Sequence, residues 1–150
     1  MRIKYSTPIK LDIGSGKNKK EGYTGIDILD RGQEIVWDVR YGIPVPDNSV
    51  EKIRTTHFVE HIEDKYLTKL ISEIIRVCKN ETEVFIACPH SDFKEAYFPC
   101  HLSLWNELKI KGICLDTFNL KTVGKNPGVL EIKEMSKNGI ELNCTLIVKK

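Results

Sequence analysis

Ile9-Lys10-Leu11-Asp12-Ile13-Gly14-Ser15-Gly16 is the stretch that decides the fold of this chain. Ile9, Leu11 and Ile13 alternate with Lys10 and Asp12, which predicts a short strand ending at Gly14. A strand end followed by Gly-x-Gly lets the backbone bend sharply and come close to a ligand. In parallel sheets ligands bind beyond the carboxyl ends of the strands, where strand order reverses. A glycine pair alone serves a plain turn equally well, so Gly14-x-Gly16 gains weight only from the strand ends downstream of it. Residues 14–22 are rich in glycine and lysine and predict a loop, with little room for a helix before the next strand. Two phosphate-binding motifs fail here. A P-loop needs glycine where Leu11 stands and Ser or Thr where Asn18 stands. The dinucleotide fingerprint needs a third glycine at Lys19, which also disfavours a nicotinamide-linked oxidoreductase.

Working outward, residues 24–28 predict a second strand ending near Asp27, and residues 34–37 a third followed by Asp38. A carboxylate at the first of these ends can accept two hydrogen bonds from ribose hydroxyls. One at the second can accept from an adenine amino group. Both carboxylates could instead merely cap their loops. Three successive strand ends, each with a suitable polar group, nonetheless describe a nucleoside site.

Residues 50–56 predict a fourth strand after a turn marked by Pro44, Pro46 and Asp47-Asn48. Leu67, Leu70, Ile71, Ile74, Ile75 and Cys78 form one apolar stripe at helical spacing, with Asp64 as N-cap and Asn80 as a left-handed C-cap. Residues 84–88 are apolar on both faces, as a buried parallel strand should be. Between 91 and 123 the pattern gives only a short helix over 103–109, ending before Gly112. Residues 129–134 and 140–148 flank Asn138-Gly139, a strong hairpin signal. The sum is an α/β chain: a Rossmann-like three-layer sandwich, its sheet mostly parallel with a C-terminal antiparallel hairpin.

With 150 residues the chain suits one domain spanning 1–150. A domain of this size buries roughly 70% of its unfolded surface and needs no staple. A net charge of +2, with scattered lysines, gives no nucleic-acid signature. The amino terminus does not read as a leader, and no stretch is long enough to span a membrane. Five cysteines without a CxxC pair favour free thiols, and the cytoplasm is the expected compartment.

Taken together, Leu11-Asp12-Ile13-Gly14-Ser15-Gly16, Gly25-Ile26-Asp27, Trp37-Asp38-Val39, Ile43-Pro44-Val45-Pro46-Asp47-Asn48-Ser49-Val50 and His57-Phe58-Val59-Glu60-His61-Ile62 resemble the class I S-adenosylmethionine (SAM)-dependent methyltransferases. The similarity is greatest to their small type-11-like branch. It covers residues 9–90, and the Pro-Asp-Asn-Ser-Val turn and the His-x-x-Glu-His run are its most distinctive parts. The resemblance implies that Asp12, Gly14, Ser15 and Gly16 surround the methionine part of SAM. Asp27, with Ile28 beside it, would hold the ribose, and Asp38 and Val39 would face the adenine. His57 would touch the cofactor through the loop after the fourth strand. The implied activity is methyl transfer to a small-molecule or glycan acceptor; a non-catalytic SAM- or nucleoside-binding module, perhaps a partner subunit, is the alternative. The short span from Gly16 to Asp27 departs from the family pattern.

Methyl transfer needs in-line positioning and exclusion of water, and a hydroxyl acceptor also gains from a general base. His101 is the first candidate, because the family often places a histidine after the fifth strand. His61 is the second, although it also suits a helix start packed on the sheet. His90 would only line the acceptor side. Cys88-Pro89-His90 and Cys100-His101 offer four soft ligands, but neither spacing matches a common zinc pattern, and no metal is expected. Tyr97, Phe98 and Trp105 read equally as an acceptor lid or as core.

Overall fold

The computed structural model describes residues 7–150. Residues 1–6, part of the segment expected to hold no leader, lie outside the described residues. Seven strands form one sheet in the order β3-β2-β1-β4-β5-β7-β6. They are β1 (Ile9–Ile13), β2 (Thr24–Asp27), β3 (Ile35–Val36), β4 (Val50–Thr56), β5 (Cys78–Pro89), β6 (Val129–Asn138) and β7 (Glu141–Lys149). The first five pair in parallel, and β7 runs antiparallel to both β5 and β6. Strand order reverses between β1 and β4, so the loop after Ile13 opens at the switch point. The expected Rossmann-like sheet with its terminal hairpin is the architecture observed.

Helix α1 (Asp64–Val77) buries Leu70, Ile71, Ile74 and Ile75 of the predicted stripe, with Leu67 partly buried against the core, and adds Val77, which the spacing did not include. Its ends differ from expectation. Glu63 is the cap residue and its side chain makes no capping bond, so Asp64 is the first helical residue rather than the N-cap. The helix runs directly into β5 through Cys78, and Asn80 lies within that strand. The carbonyls at the helix end are satisfied from elsewhere: Asn48 N–H donates to Arg76 O at 3.0 Å and Ser49 N–H to Val77 O at 2.8 Å. The Pro-Asp-Asn-Ser-Val turn therefore caps α1. Arg76 fastens it further, donating to Ile43 O at 2.7 Å, Val45 O at 3.1 Å and Asp47 Oδ1 at 2.6 Å.

Helix α2 spans Glu107–Thr122, much longer than the short segment expected, and runs through Gly112. Asn106 caps it by accepting from Lys109 N–H at 3.0 Å. Ile110, Ile113 and Thr117 face the core while Leu108, Leu115 and Phe118 face outward. With apolar residues all round, no stripe marks the helix in the sequence. The hairpin also shifts by one residue. Asn138 pairs with Glu141, so the two-residue loop is Gly139-Ile140, with Gly139 at φ +59°. Glycine at the first central position is the pattern of a type II′ turn.

Both helices lie side by side on one face, linked by the Lys109–Asp64 ion pair at 2.5 Å. Along β7, Leu142, Cys144, Leu146 and Val148 are buried in the single core, whereas Asn143, Thr145 and Ile147 are half-buried. Among the described residues no helix covers that other face, where Glu83 pairs with Lys52 and Lys133 instead. The expected third layer is reduced to loops, because residues 14–23 and 28–34 are too short for crossover helices.

Candidate ligand-binding cleft

A cavity of about 530 Å³ opens at the carboxyl ends of β1 to β4. This is the usual size of a small-molecule site. Its wall includes Gly14, Gly16, Asp27, Ile28, Asp38, Val39 and His57, so seven of the nine expected cofactor residues converge there.

The loop after β1 is shaped by its glycines and held by side chains. Gly14 has φ +68° and donates its N–H to Ile26 O at 2.8 Å. A Cβ on it would fall within 2.6 Å of three Phe58 atoms, so only glycine lets the Phe58 ring close this wall. Gly16 has φ +53°, and nothing lies within 4 Å of where its Cβ would be. Its N–H donates to Asp27 Oδ2 at 2.9 Å. Asp12 and Ser15 do not border the cavity. Asp12 is buried beneath the loop, where Oδ2 accepts from Lys20 N–H and from Arg54 Nη1, both at 2.8 Å. Ser15 is buried too, and its N–H donates to Ile26 O at 3.1 Å. Lys19 clamps the end of the loop by donating to Tyr23 O at 2.9 Å and to Glu34 at 2.8 Å. These contacts replace the backing helix that the short span excludes.

Asp27 accepts from Gly16 N–H through Oδ2 and from Leu29 N–H through Oδ1 at 3.0 Å. Each oxygen keeps a lone pair for a ligand hydroxyl. Asp38 is engaged differently. Arg40 donates to it from the backbone at 3.0 Å and from the guanidinium at 2.7 to 3.1 Å. The guanidinium holds this carboxyl below its ordinary pKa. A ligand amino group must therefore compete with Arg40 for it. Sequence reasoning did not assign Leu29, Arg31, Trp37, Arg40, Phe58 and Ile62, which also form the wall. Ile28, Leu29 and Trp37 expose 56%, 56% and 42% of their surface here, an apolar lining that a bound group would cover. Position alone could have signalled Leu29, Trp37 and Arg40, each within two residues of Asp27 or Asp38; Arg31, Phe58 and Ile62 carry no such signal.

His57 has φ +50° and donates its N–H to Ala87 O at 2.8 Å. Its ring lies between two carboxylates, with Nε2 on Glu141 and Nδ1 3.5 Å from Glu60 Oε1. Glu60 is 2% exposed, and neither carboxyl oxygen has a hydrogen-bond partner among the described residues. Burial raises its pKa.

His61 borders the cavity, and His101 borders a shallower depression beside it, with Tyr97 and Phe98. The two rings meet edge-on at 4.9 Å. The loop carrying His101 is pinned to the Val59–His61 turn. Leu102 N–H and Ser103 N–H donate to Glu60 O at 2.7 and 3.1 Å, and Ser103 Oγ donates to Val59 O at 3.1 Å. His90 does not reach this side. It is buried, accepts from Asp92 N–H through Nδ1 at 3.1 Å and contacts Glu107 through Nε2 at 2.8 Å. Cys88 is buried in β5, so the four soft ligands of the two Cys/His pairs do not come together. Trp105 is fully buried core, with Nε1 donating to Ser103 Oγ at 2.9 Å, while Tyr97 and Phe98 are exposed.

Neither a family model nor a curated protein matches the sequence. Solved structures do match. A SAM-dependent methyltransferase from Aquifex aeolicus superposes with a TM-score of 0.64 at 16% identity, covering 96% of this chain and 84% of that one. Another from Archaeoglobus fulgidus gives 0.63 at 20%, covering 97% and 88%. A phosphoethanolamine N-methyltransferase from Haemonchus contortus, in complex with phosphoethanolamine and S-adenosylhomocysteine, gives 0.70 at 10%, covering 97% of this chain and 40% of that one. At these identities the likeness establishes the fold, which is that of the Rossmann-like methyltransferases.

Proposed function

We propose that this chain is a single-domain, type-11-like methyltransferase that binds SAM in the cleft and methylates a small-molecule or glycan acceptor. The observation that carries this reading is the convergence of Gly14, Gly16, Asp27, Ile28, Asp38 and Val39 on one cavity at the switch point of this fold. The residues present fit the cofactor. Open space over Gly16 leaves the backbone approachable, and Asp27 keeps a lone pair on each oxygen for the two ribose hydroxyls. Val39, Ile28, Leu29 and Trp37 supply apolar walls for the adenine, with Asp38 reachable only past Arg40.

Bound SAM supplies an activated methyl group on a sulfonium. The chain's own residues have three tasks. The Gly14–Gly16 loop and Asp27 fix the direction in which that group points. Phe58 and Ile62 exclude water from it. His61 and His101 stand on the acceptor side, and a free imidazole nitrogen there can take the proton of a hydroxyl or thiol acceptor. Among the described residues no helix is long and apolar enough to cross a membrane, and we place the protein in the cytoplasm.

The loops that replace the second helical layer favour one alternative, a SAM-binding module without turnover. Incubation with methyl-labelled SAM and a panel of hydroxyl, thiol, amine and sugar acceptors separates the two. Labelled product with stoichiometric S-adenosylhomocysteine supports the enzyme. Saturable binding with no product across the panel supports the module, and absence of binding refutes both.

A further inference from the structure

We propose that His61, Cys100 and His101 form a site for one divalent transition cation of the zinc class. One ligand atom from each of these residues lies within 4.8 Å of the other two. Bonds of about 2.0–2.1 Å to nitrogen and 2.3 Å to sulfur require only a modest contraction of this cluster. Two imidazoles and a thiol form a borderline-soft donor set without a carboxylate, which suits zinc and excludes calcium or magnesium.

Three further features point to a ligand. His61 Nδ1 lies 2.9 Å from Cys100 O. A carbonyl only accepts, so Nδ1 carries the proton and the Nε2 lone pair is free. Metal-binding histidines are oriented in this manner, by a backbone carbonyl on the other ring nitrogen. His101 Nδ1 is buried and has no hydrogen-bond partner among the described residues. The site is also preorganised: the hydrogen bonds from Leu102 and Ser103 to Glu60 O and Val59 O fix the loop of Cys100 and His101 against the turn of His61. Cys100 itself is an exposed free thiol.

Three protein ligands leave a fourth position, as in catalytic rather than structural zinc sites. His61 also borders the cleft, the side from which a fourth ligand would arrive. A bound cation would turn both rings from proton acceptors into ligands, and would itself favour the deprotonated form of a coordinated hydroxyl or thiol. This role rests on the methyl-transfer reading; the metal site does not.

The test is a cobalt(II) titration of chelator-stripped full-length protein. Binding should saturate at one equivalent with a near-ultraviolet thiolate-to-cobalt band, and zinc should displace it. Cys100→Ser should abolish the band. His61→Ala and His101→Ala should each weaken binding by more than about 100-fold, the upper end of what losing even an outer-sphere partner costs. All three residues are at least partly exposed, and far-ultraviolet circular dichroism is to check that each variant folds. Absence of a thiolate band, or a band undiminished in Cys100→Ser, overturns the proposal. Titration of the same samples with S-adenosylhomocysteine reads the cleft separately, so that failure of the metal site and failure of the cofactor site are distinguishable.

Discussion

Replacing Gly14 with alanine should damage this protein far more than the same change two residues later. Both positions have positive φ, +68° at Gly14 and +53° at Gly16. A left-handed alanine costs about 1–2 kcal/mol at either. Only at Gly14 does the new methyl meet anything, namely three Phe58 side-chain atoms within 2.6 Å, whereas nothing lies within 4 Å at Gly16. Overpacking of that kind adds about 1–3 kcal/mol. Gly14→Ala should therefore lose about 2–5 kcal/mol and Gly16→Ala about 1–2 kcal/mol. Urea unfolding with a common m-value reads the difference, which isolates the contact with Phe58. Adding Phe58→Ala should recover part of the Gly14→Ala loss, beyond additivity. Equal losses at the two glycines, or strict additivity with Phe58→Ala, would refute the claim that Gly14 is needed for the close approach of Phe58.

The supporting contacts give further outcomes. Arg54→Met leaves the buried Asp12 carboxylate without its ion pair and should cost about 3 kcal/mol in chemical denaturation; adding Asp12→Asn should return part of it. Arg76 holds the Glu73 carboxyl below its ordinary value of 4.5, so this pair stabilises the fold fully above pH 4.5 and less as pH falls beneath it. The gap in melting temperature between wild type and Glu73→Gln should accordingly shrink on acidification below that pH; a constant gap contradicts the assignment. Trp105→Ala should destabilise by about 3–5 kcal/mol, as a core residue does, where a lid residue would leave the unfolding midpoint unchanged.

The central strands and α1 were legible because each carries its own pattern: alternation in β1, a continuous apolar run in β5 and a 3.6-residue stripe in α1. Helix α2 was not, because Leu108, Leu115 and Phe118 interleave with the buried Ile110 and Ile113 and blur the stripe, and because Gly112 looks like an end. The hairpin was placed one residue early, since Asn-Gly usually fills both turn positions whereas here glycine takes the first. In the cleft, the strand-end rule found Asp27 and the glycines. It did not show that Asp38 turns onto Arg40, a local choice made by the 3₁₀ turn at Val39–Tyr41. Nor did it separate residues that face the cavity from those that hold its floor, so Asp12 and Ser15 were grouped with Gly14 and Gly16. The meeting of His61 with Cys100 and His101 depends on contacts between segments about 40 residues apart, which no local pattern records.

Calorimetric titration with S-adenosylhomocysteine, run side by side on wild type and Asp27→Ala, is the most direct test of the cleft as a cofactor site. On the proposed reading Asp27 would make a charged, bidentate contact to the ribose, and losing such a contact costs about 1.5–3 kcal/mol. Wild type should bind at one equivalent, and Asp27→Ala should bind roughly 10- to 150-fold more weakly. No binding by wild type, or equal affinity in the two proteins, would contradict the assignment.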